Sequence, residues 1–215
     1  NTLETNIQEI QNKDRVDVIL ANPPFGGKEK ANIQENFNIK TSETAYLFLQ
    51  HFIKKLKVGG RCGVVIKNTF LTNEDASELR KQLLNECNLH TILDLPKGTF
   101  QGAGVQTVVL FFEKGNRTKK IWYYKLNPGR NMGKTNPLNE SDLTDFIKLA
   151  NKNKITENSW FLEIDKVNTE TYDLSVKNPN IVMVNDERTT QEIISEIEEL
   201  DNQSSNILKK IKELM

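Results

Sequence analysis

The chain has 215 residues, 37% hydrophobic and 27% charged, which suits one large domain or one and a half small ones and excludes a fibrous or disordered class. Lys plus Arg and Asp plus Glu number 29 each, so the net charge neither favours nor excludes a nucleic-acid partner, and any basic surface must be local. No apolar run approaches the roughly 20 residues that cross a bilayer and no signal peptide is visible; Cys62 and Cys87 sit in core-type segments, as reduced thiols of a cytosolic protein would.

Val16–Leu20 is short and nearly all apolar, the pattern of a central parallel strand buried on both faces. Residues 44–56 carry Ala45, Leu47, Phe48, Phe52, Ile53 and Leu56 at helical spacing, with Ser42 or Thr41 as candidate cap and Gly59-Gly60 as the stop. "RCGVVIK" reads as a second strand, residues 75–87 as a second helix with Leu79, Leu83, Leu84 and Cys87 on one face, and "HTILDLP" as a third strand. "VQTVVLFFEKG" is a fourth and "KIWYYKL" a fifth.

Alternating strands and helices predict an α/β fold with a mostly parallel sheet covered on both faces. The link from "LDLP" to "VQTVVLFF" holds no helix and is too short for a parallel crossover, so that pair is expected to be antiparallel. Beyond Asn127 the chain turns loop-rich, with a short helix over about residues 141–151 capped by Ser141. Residues 186–215 predict one long helix. Its Ile193, Ile197, Leu200, Ser204, Ile207, Ile211 and Leu214 form a heptad seam with one polar interruption.

The first strand runs into Asn22-Pro23-Pro24-Phe25-Gly26-Gly27. Pro23 cannot donate to a ladder and ends the strand, and two consecutive prolines stiffen the loop. That loop lies at the carboxyl end of a parallel strand, where open α/β sheets bind ligands. Pro23 and Pro24 offer carbonyls without N–H groups, Asn22 adds a side-chain acceptor, and Phe25 a flat ring. Such acceptors suit a planar ring bearing an exocyclic amine: two hydrogen bonds would hold the amine hydrogens and localise its lone pair. The two glycines read as freeing a mobile loop.

Asn22-Pro23-Pro24-Phe25 resembles the catalytic tetrapeptide of amino-group methyltransferases. Together with "FLQHFIKKLKVGGRCGVVIK", "LRKQLLNECNLHTILDLPKGTF", "GVQTVVLFFEKG", "KIWYYKL" and "YDLSVKNPN", it resembles the modification subunit of type I restriction-modification enzymes, an N6-adenine DNA methyltransferase family, over nearly all of Asp17–Asn180. The resemblance implies a Rossmann-like S-adenosylmethionine-dependent methyltransferase sheet ending in an antiparallel strand pair, with a C-terminal helical tail. It implies Asn22, Pro23, Pro24 and Phe25 as catalytic residues acting on a flipped adenine. Phe25, Phe100 in "KGTFQGAGVQT" and Lys28, with Lys30 beside it, are the candidate contacts to DNA.

The family's glycine-rich turn and ribose-binding acid do not occur here, so cofactor-binding residues are expected upstream of Asn1, the partial sheet is expected to lack its N-terminal strands, and the isolated chain is expected to be inactive. Implied divisions are residues 1–126 for the C-terminal part of the catalytic domain, 127–185 for a family-specific extension and 186–215 for an assembly helix. Implied partners are DNA, a specificity subunit, a second modification subunit and a restriction subunit, in the cytoplasm of a bacterium or archaeon, with no membrane role. No metal-ligand spacing is visible. Other users of the tetrapeptide, acting on protein glutamine or RNA, and an inert assembly module are the alternative readings. Lys67-Asn68-Thr69 departs from the proline and glycine that many family members carry after this strand.

Overall fold

The structure, a computed structural model, describes residues 2–100, 104–180 and 189–213. The chain divides into two compact units, residues 1–181 and 182–215.

The first unit is built on a six-stranded sheet. Along the chain come β1 (Val16–Ala21), α1 (Ala31–Gln34), α2 (Thr44–Lys55), β2 (Leu56–Lys67), α3 (Ser77–Glu86), β3 (Cys87–Asp94), β4 (Thr107–Lys114), β5 (Lys120–Lys125), α4 (Glu140–Ala150) and β6 (Ser159–Glu163). The spatial order is β1-β2-β4-β3-β5-β6. β1 is parallel to β2 and β3 to β5. β4 runs antiparallel to both β2 and β3, and β6 antiparallel to β5. The expected antiparallel turn from β3 into β4 is present, and β4 inserts between β2 and β3. The carboxyl ends of β1, β2, β3 and β5 therefore gather at one end of the sheet, beside the start of β4.

Alternation along the strands divides the core. On one face α2 and α3 bring Leu49, Ile53, Leu79 and Leu83 against Val64, Ile66, Ile92, Leu110 and Phe112. On the other face α4 covers β3–β5: Phe146 stacks on Trp122 at 6.0 Å, and the Tyr124 hydroxyl donates to Asp145 Oδ2 at 2.8 Å. A smaller cluster joins Leu3, Ile7 and Ile10, on 3-10 turns ahead of β1, to Ile33, Phe37 and Leu47. Cys62 and Cys87 are free and buried, and burial pushes both thiols up to about 12.

Five local expectations need correction. β1 is not buried on both faces: among the described residues it pairs with β2 alone, and Val18 and Leu20 are 51% and 81% exposed. Gly59-Gly60 do not stop α2. The helix ends at Lys55 because Leu56 already has extended angles, φ −75 and ψ 139, and the glycines lie inside β2. α2 has no side-chain cap; the Thr41 hydroxyl instead accepts from the Glu43 N–H. α4 is capped by Asn139 rather than Ser141, its side-chain oxygen accepting from the Ser141 and Asp142 N–H groups while Asp142 reaches back to the Asn139 N–H. β6 is an additional strand, so the chain beyond Asn127 contributes to the same sheet.

Arg80 explains the "YDLSVKNPN" segment. Its side chain is fully buried, and the guanidinium donates to the carbonyls of Phe70, Asn73, Thr171 and Tyr172 at 2.7–2.8 Å. The Leu174 N–H then donates to Leu71 O, and the buried Tyr123 hydroxyl donates to Leu174 O at 2.6 Å. Arg80 thus fastens a loop more than 90 residues downstream to the start of α3. Arg80→Met would leave these carbonyls short of charged donors and should cost about 3 kcal/mol, close to 10 °C in Tm. Thermal unfolding of the variant checks this; an unchanged Tm would show that water replaces the guanidinium without loss.

The second unit is α5 (Thr190–Glu213). Its start carries a Thr-x-x-Glu cap: Glu192 Oε2 accepts from the Thr189 N–H at 2.6 Å, and the Thr189 hydroxyl accepts from the Glu192 N–H at 3.2 Å. Residues 186–188 of the expected helix, and Leu214 of its seam, lie outside the described residues. Ile193, Ile197, Leu200, Ile207 and Ile211 are exposed, and Ile194 and Leu208 widen the apolar stripe. No helix among the described residues is long and apolar enough to cross a membrane.

Candidate active site

β1 ends at Ala21, and the chain leaves the sheet through Asn22-Pro23-Pro24-Phe25. Pro23 is buried and anchors the turn, whereas Asn22 and Pro24 are exposed. Among the described residues nothing hydrogen-bonds to the Asn22 side chain or to the Pro23 and Pro24 carbonyls. These acceptors are therefore free, at the sheet end where the other parallel strands also finish. Phe25 is half-buried and meets Phe100 edge to face, with ring centroids 5.4 Å apart and planes at 64°. The structure thus brings together Asn22, Phe25 and Phe100 from two loops far apart in sequence. Residues 101–103 of the expected second loop lie outside the described residues.

The glycines after Phe25 permit close packing rather than free motion. Gly26 has φ +83, and a Cβ there would lie 3.4 Å from Lys67 Nζ. A Cβ on Gly27 would come within 2.5 Å of the Thr44 hydroxyl. The Thr44 N–H donates to Gly27 O at 3.0 Å, the Glu29 N–H to Ser42 O at 2.8 Å, and the Thr44 hydroxyl to Glu29 Oε1 at 3.1 Å. The start of α2 therefore clamps the loop. Lys67, at the end of β2, lies against Gly26 and pairs with Glu43 at 3.2 Å, the two side chains only 20% and 24% exposed. This ion pair lies under the Phe25–Gly27 turn. Sequence reasoning assigned it no role; the signal was a lysine directly at a strand's carboxyl end.

Lys28 forms a backbone bridge with Glu43, its side chain is exposed, and it makes no ion pair among the described residues. Lys30 is exposed as well. Both flank the loop on its solvent side. Asp94, at the end of β3, accepts from the Gln106 amide at 2.8 Å. Burial pushes its carboxyl above the usual range, with the Gln106 hydrogen bond and Lys125 pulling the other way. Among the described residues no cluster of His, Cys, Asp and Glu is placed to hold a metal ion.

The sheet order, with an antiparallel strand inserted beside the parallel ones and an acceptor loop at their carboxyl ends, is that of a Rossmann-like methyltransferase sheet. The sequence model described as "N-6 DNA Methylase" matches residues 1–188, and the chain belongs to that family. It is 38% identical over 186 residues to the type I restriction enzyme EcoEI methylase subunit of Escherichia coli, covering 77% of this chain and 37% of that protein. To the EcoKI methylase subunit of Escherichia coli strain K12 it is 33% identical over 186 residues, covering 79% of this chain and 35% of that protein. A solved chain from a study of assembly and conformational transition in the type I R-M system superposes with a TM-score of 0.79 at 36% identity, covering 100% of this chain and 47% of the other. The chain thus spans little more than a third of the length of these curated relatives.

Proposed function

We propose that this chain is part of the modification subunit of a type I restriction-modification enzyme, and that the subunit transfers a methyl group to the N6 amino group of an adenine flipped out of DNA. The observation that carries this reading is the unpartnered acceptor set of Asn22, Pro23 and Pro24, with Asn22 and Pro24 exposed, beside the Phe25–Phe100 ring pair.

S-adenosylmethionine supplies, when bound, an electrophilic methyl group on a sulfonium. The free Asn22 side chain at the end of β1 fits the methyl-accepting side of such a site. No described residue forms a glycine-rich turn that would hold the rest of that molecule. What these residues do is hold the acceptor. Asn22 Oδ1 and the Pro23 carbonyl accept the two amine hydrogens, which draws the nitrogen lone pair out of conjugation with the ring. As the nitrogen takes the methyl group the carbon–sulfur bond breaks, and the amine proton leaves to water after the new bond forms, so no strong base is required.

Phe25 stacks on one face of the base and Phe100 closes against it. Stacked faces lie about 3.4 Å apart, so a base held between two rings needs them roughly 7 Å apart. The present separation of 5.4 Å, edge to face, is narrower. One ring must therefore turn as the base enters. Phe100→Leu keeps the loop's apolar packing but removes the ring, and should weaken binding of DNA with an unpaired target adenine roughly tenfold. Fluorescence anisotropy with the full-length subunit measures this; unchanged affinity would remove Phe100 from the pocket.

We assign residues 1–126 to the catalytic domain, 127–185 to its family-specific extension, and α5 to assembly with a specificity subunit and a second modification subunit, with a restriction subunit completing the enzyme. Such a complex acts on DNA in the cytoplasm. The exposed apolar stripe of α5 supports the assembly role. The deciding experiment is methyl transfer to duplex DNA by the full-length subunit with its specificity subunit. N6-methyladenine in the product supports the reading, and transfer to RNA or protein glutamine instead overturns it.

A further inference from the structure

A second crevice, of about 410 Å³, opens at the same end of the sheet, outside the carboxyl ends of β3 and β5. Asp94, Lys97, Gln106, Lys125, Asn127 and Arg130 are among its lining residues. Arg130 is already engaged, its guanidinium paired with both carboxylate oxygens of Asp142 and also donating to Asn136 Oδ1 and Pro137 O. It is a fixed wall rather than a free cation. Asp94, the one carboxylate in the lining, is occupied by the Gln106 amide. Lys97 and Lys125 are exposed, and neither makes an ion pair or side-chain hydrogen bond among the described residues. The cations without an ion pair in this polar lining are thus two ammonium groups, Lys125 within electrostatic reach of Asp94.

The crevice lies beside the loop that carries Phe100. Lys97 precedes Phe100 by three residues in one tight loop, where the Thr99 N–H and hydroxyl both bond to Pro96 O. Gly98 in that loop has φ +83, and a Cβ there would lie 2.5 Å from the Met132 carbonyl oxygen. The Phe100 loop and residues 127–132 therefore pack without room for a side chain between them. A ligand seated on Lys97 and Lys125 lies next to whatever Phe100 touches.

We propose that this crevice takes the phosphodiester backbone flanking the extruded nucleotide, with Lys97 and Lys125 as its phosphate contacts. The inference rests on the DNA-methylation reading above. Two flexible, singly charged donors around an open polar hollow suit phosphate oxygens, which position the nucleic acid without reading its sequence. Lys97 couples that positioning to the loop carrying Phe100.

The test measures DNA affinity against salt for the full-length subunit with its specificity subunit, using the cognate duplex. Each phosphate neutralised contributes about 0.9 to the slope of log K against log salt. Lys97→Gln with Lys125→Gln should lower the slope by nearly two and weaken binding alike on cognate and non-cognate duplexes. Lys97→Arg with Lys125→Arg should restore the slope. Lys152→Gln with Lys154→Gln, exposed lysines outside the crevice, should leave it unchanged. An unaltered slope in the first pair, or an equal loss in the Lys152/Lys154 pair, overturns the proposal. A failure of the functional reading looks different: the unsubstituted complex would transfer no methyl group to adenine at all.

Discussion

Asn22→Ala is expected to lower methyl transfer by at least about a thousandfold in the full-length enzyme while leaving the fold intact. Deleting one preorganised hydrogen-bonding group that acts on developing charge costs on the order of a hundred- to a thousandfold in kcat. The two carboxylates near the loop, Glu29 and Glu43, are already engaged by Thr44 and Lys67. Stability should change by less than about 0.5 kcal/mol, since the Asn22 side chain is exposed and has no partner to lose. Asn22→Asp keeps one acceptor oxygen and should retain more activity than the alanine variant. The defect should fall mainly in kcat, because Phe25 and Phe100 still bind the base. Single-turnover transfer to a labelled duplex, with Tm measured in parallel, reads both quantities. A folded alanine variant with wild-type turnover would remove Asn22 from the chemistry.

The parts of this fold that were legible were those with a local physical cause. β4, β5 and the second half of β2 carry unbroken apolar runs, and the antiparallel pairing of β3 with β4 follows from a connection too short to cross over. The acceptor loop was legible because two prolines cannot be hidden inside a ladder. Features set by neighbours distant in sequence were not. β1 has a buried strand's composition yet stands at the end of the described sheet, and no local pattern distinguishes these cases. β6 alternates Trp160 and Leu162 with Phe161 over only five residues, too short a signal beside its polar surroundings. Arg80 reads as a solvated charge, although it falls on the same helical face as Ala76, Leu83 and Leu84. Its buried partners are backbone carbonyls, which no sequence displays. The Lys67–Glu43 pair beneath Gly26 is of the same kind: each residue is ordinary alone, and only the fold makes them a support for the loop.

Replacing Ile197, Leu200 and Ile207 together by aspartate is expected to abolish assembly of the full-length subunit with its specificity subunit. These side chains are 53%, 55% and 58% exposed on α5, at positions that repeat along one stripe. Fully burying an isoleucine or leucine contributes about 1.5–3 kcal/mol, so about half of each gain remains for a partner to realise. The three aspartates forfeit that gain and also place carboxylates where a helical interface would have to desolvate them. A loss of at least about 4 kcal/mol, close to a thousandfold in Kd, is the minimum expected. Local helix stability should fall only slightly, because the Thr189–Glu192 cap at the start of α5 is untouched. The transition of the sheet-containing unit should stay within about 1 °C, since the substitutions lie in the other compact unit. Size-exclusion co-elution and calorimetry measure the two effects separately. Undiminished co-elution of the triple variant would mean that the apolar stripe of α5 serves something other than assembly. The Ser204 position refines the point. If α5 pairs in one fixed register, Ser204→Ile should tighten association while admitting other registers or stoichiometries, as polar seam positions trade stability for specificity.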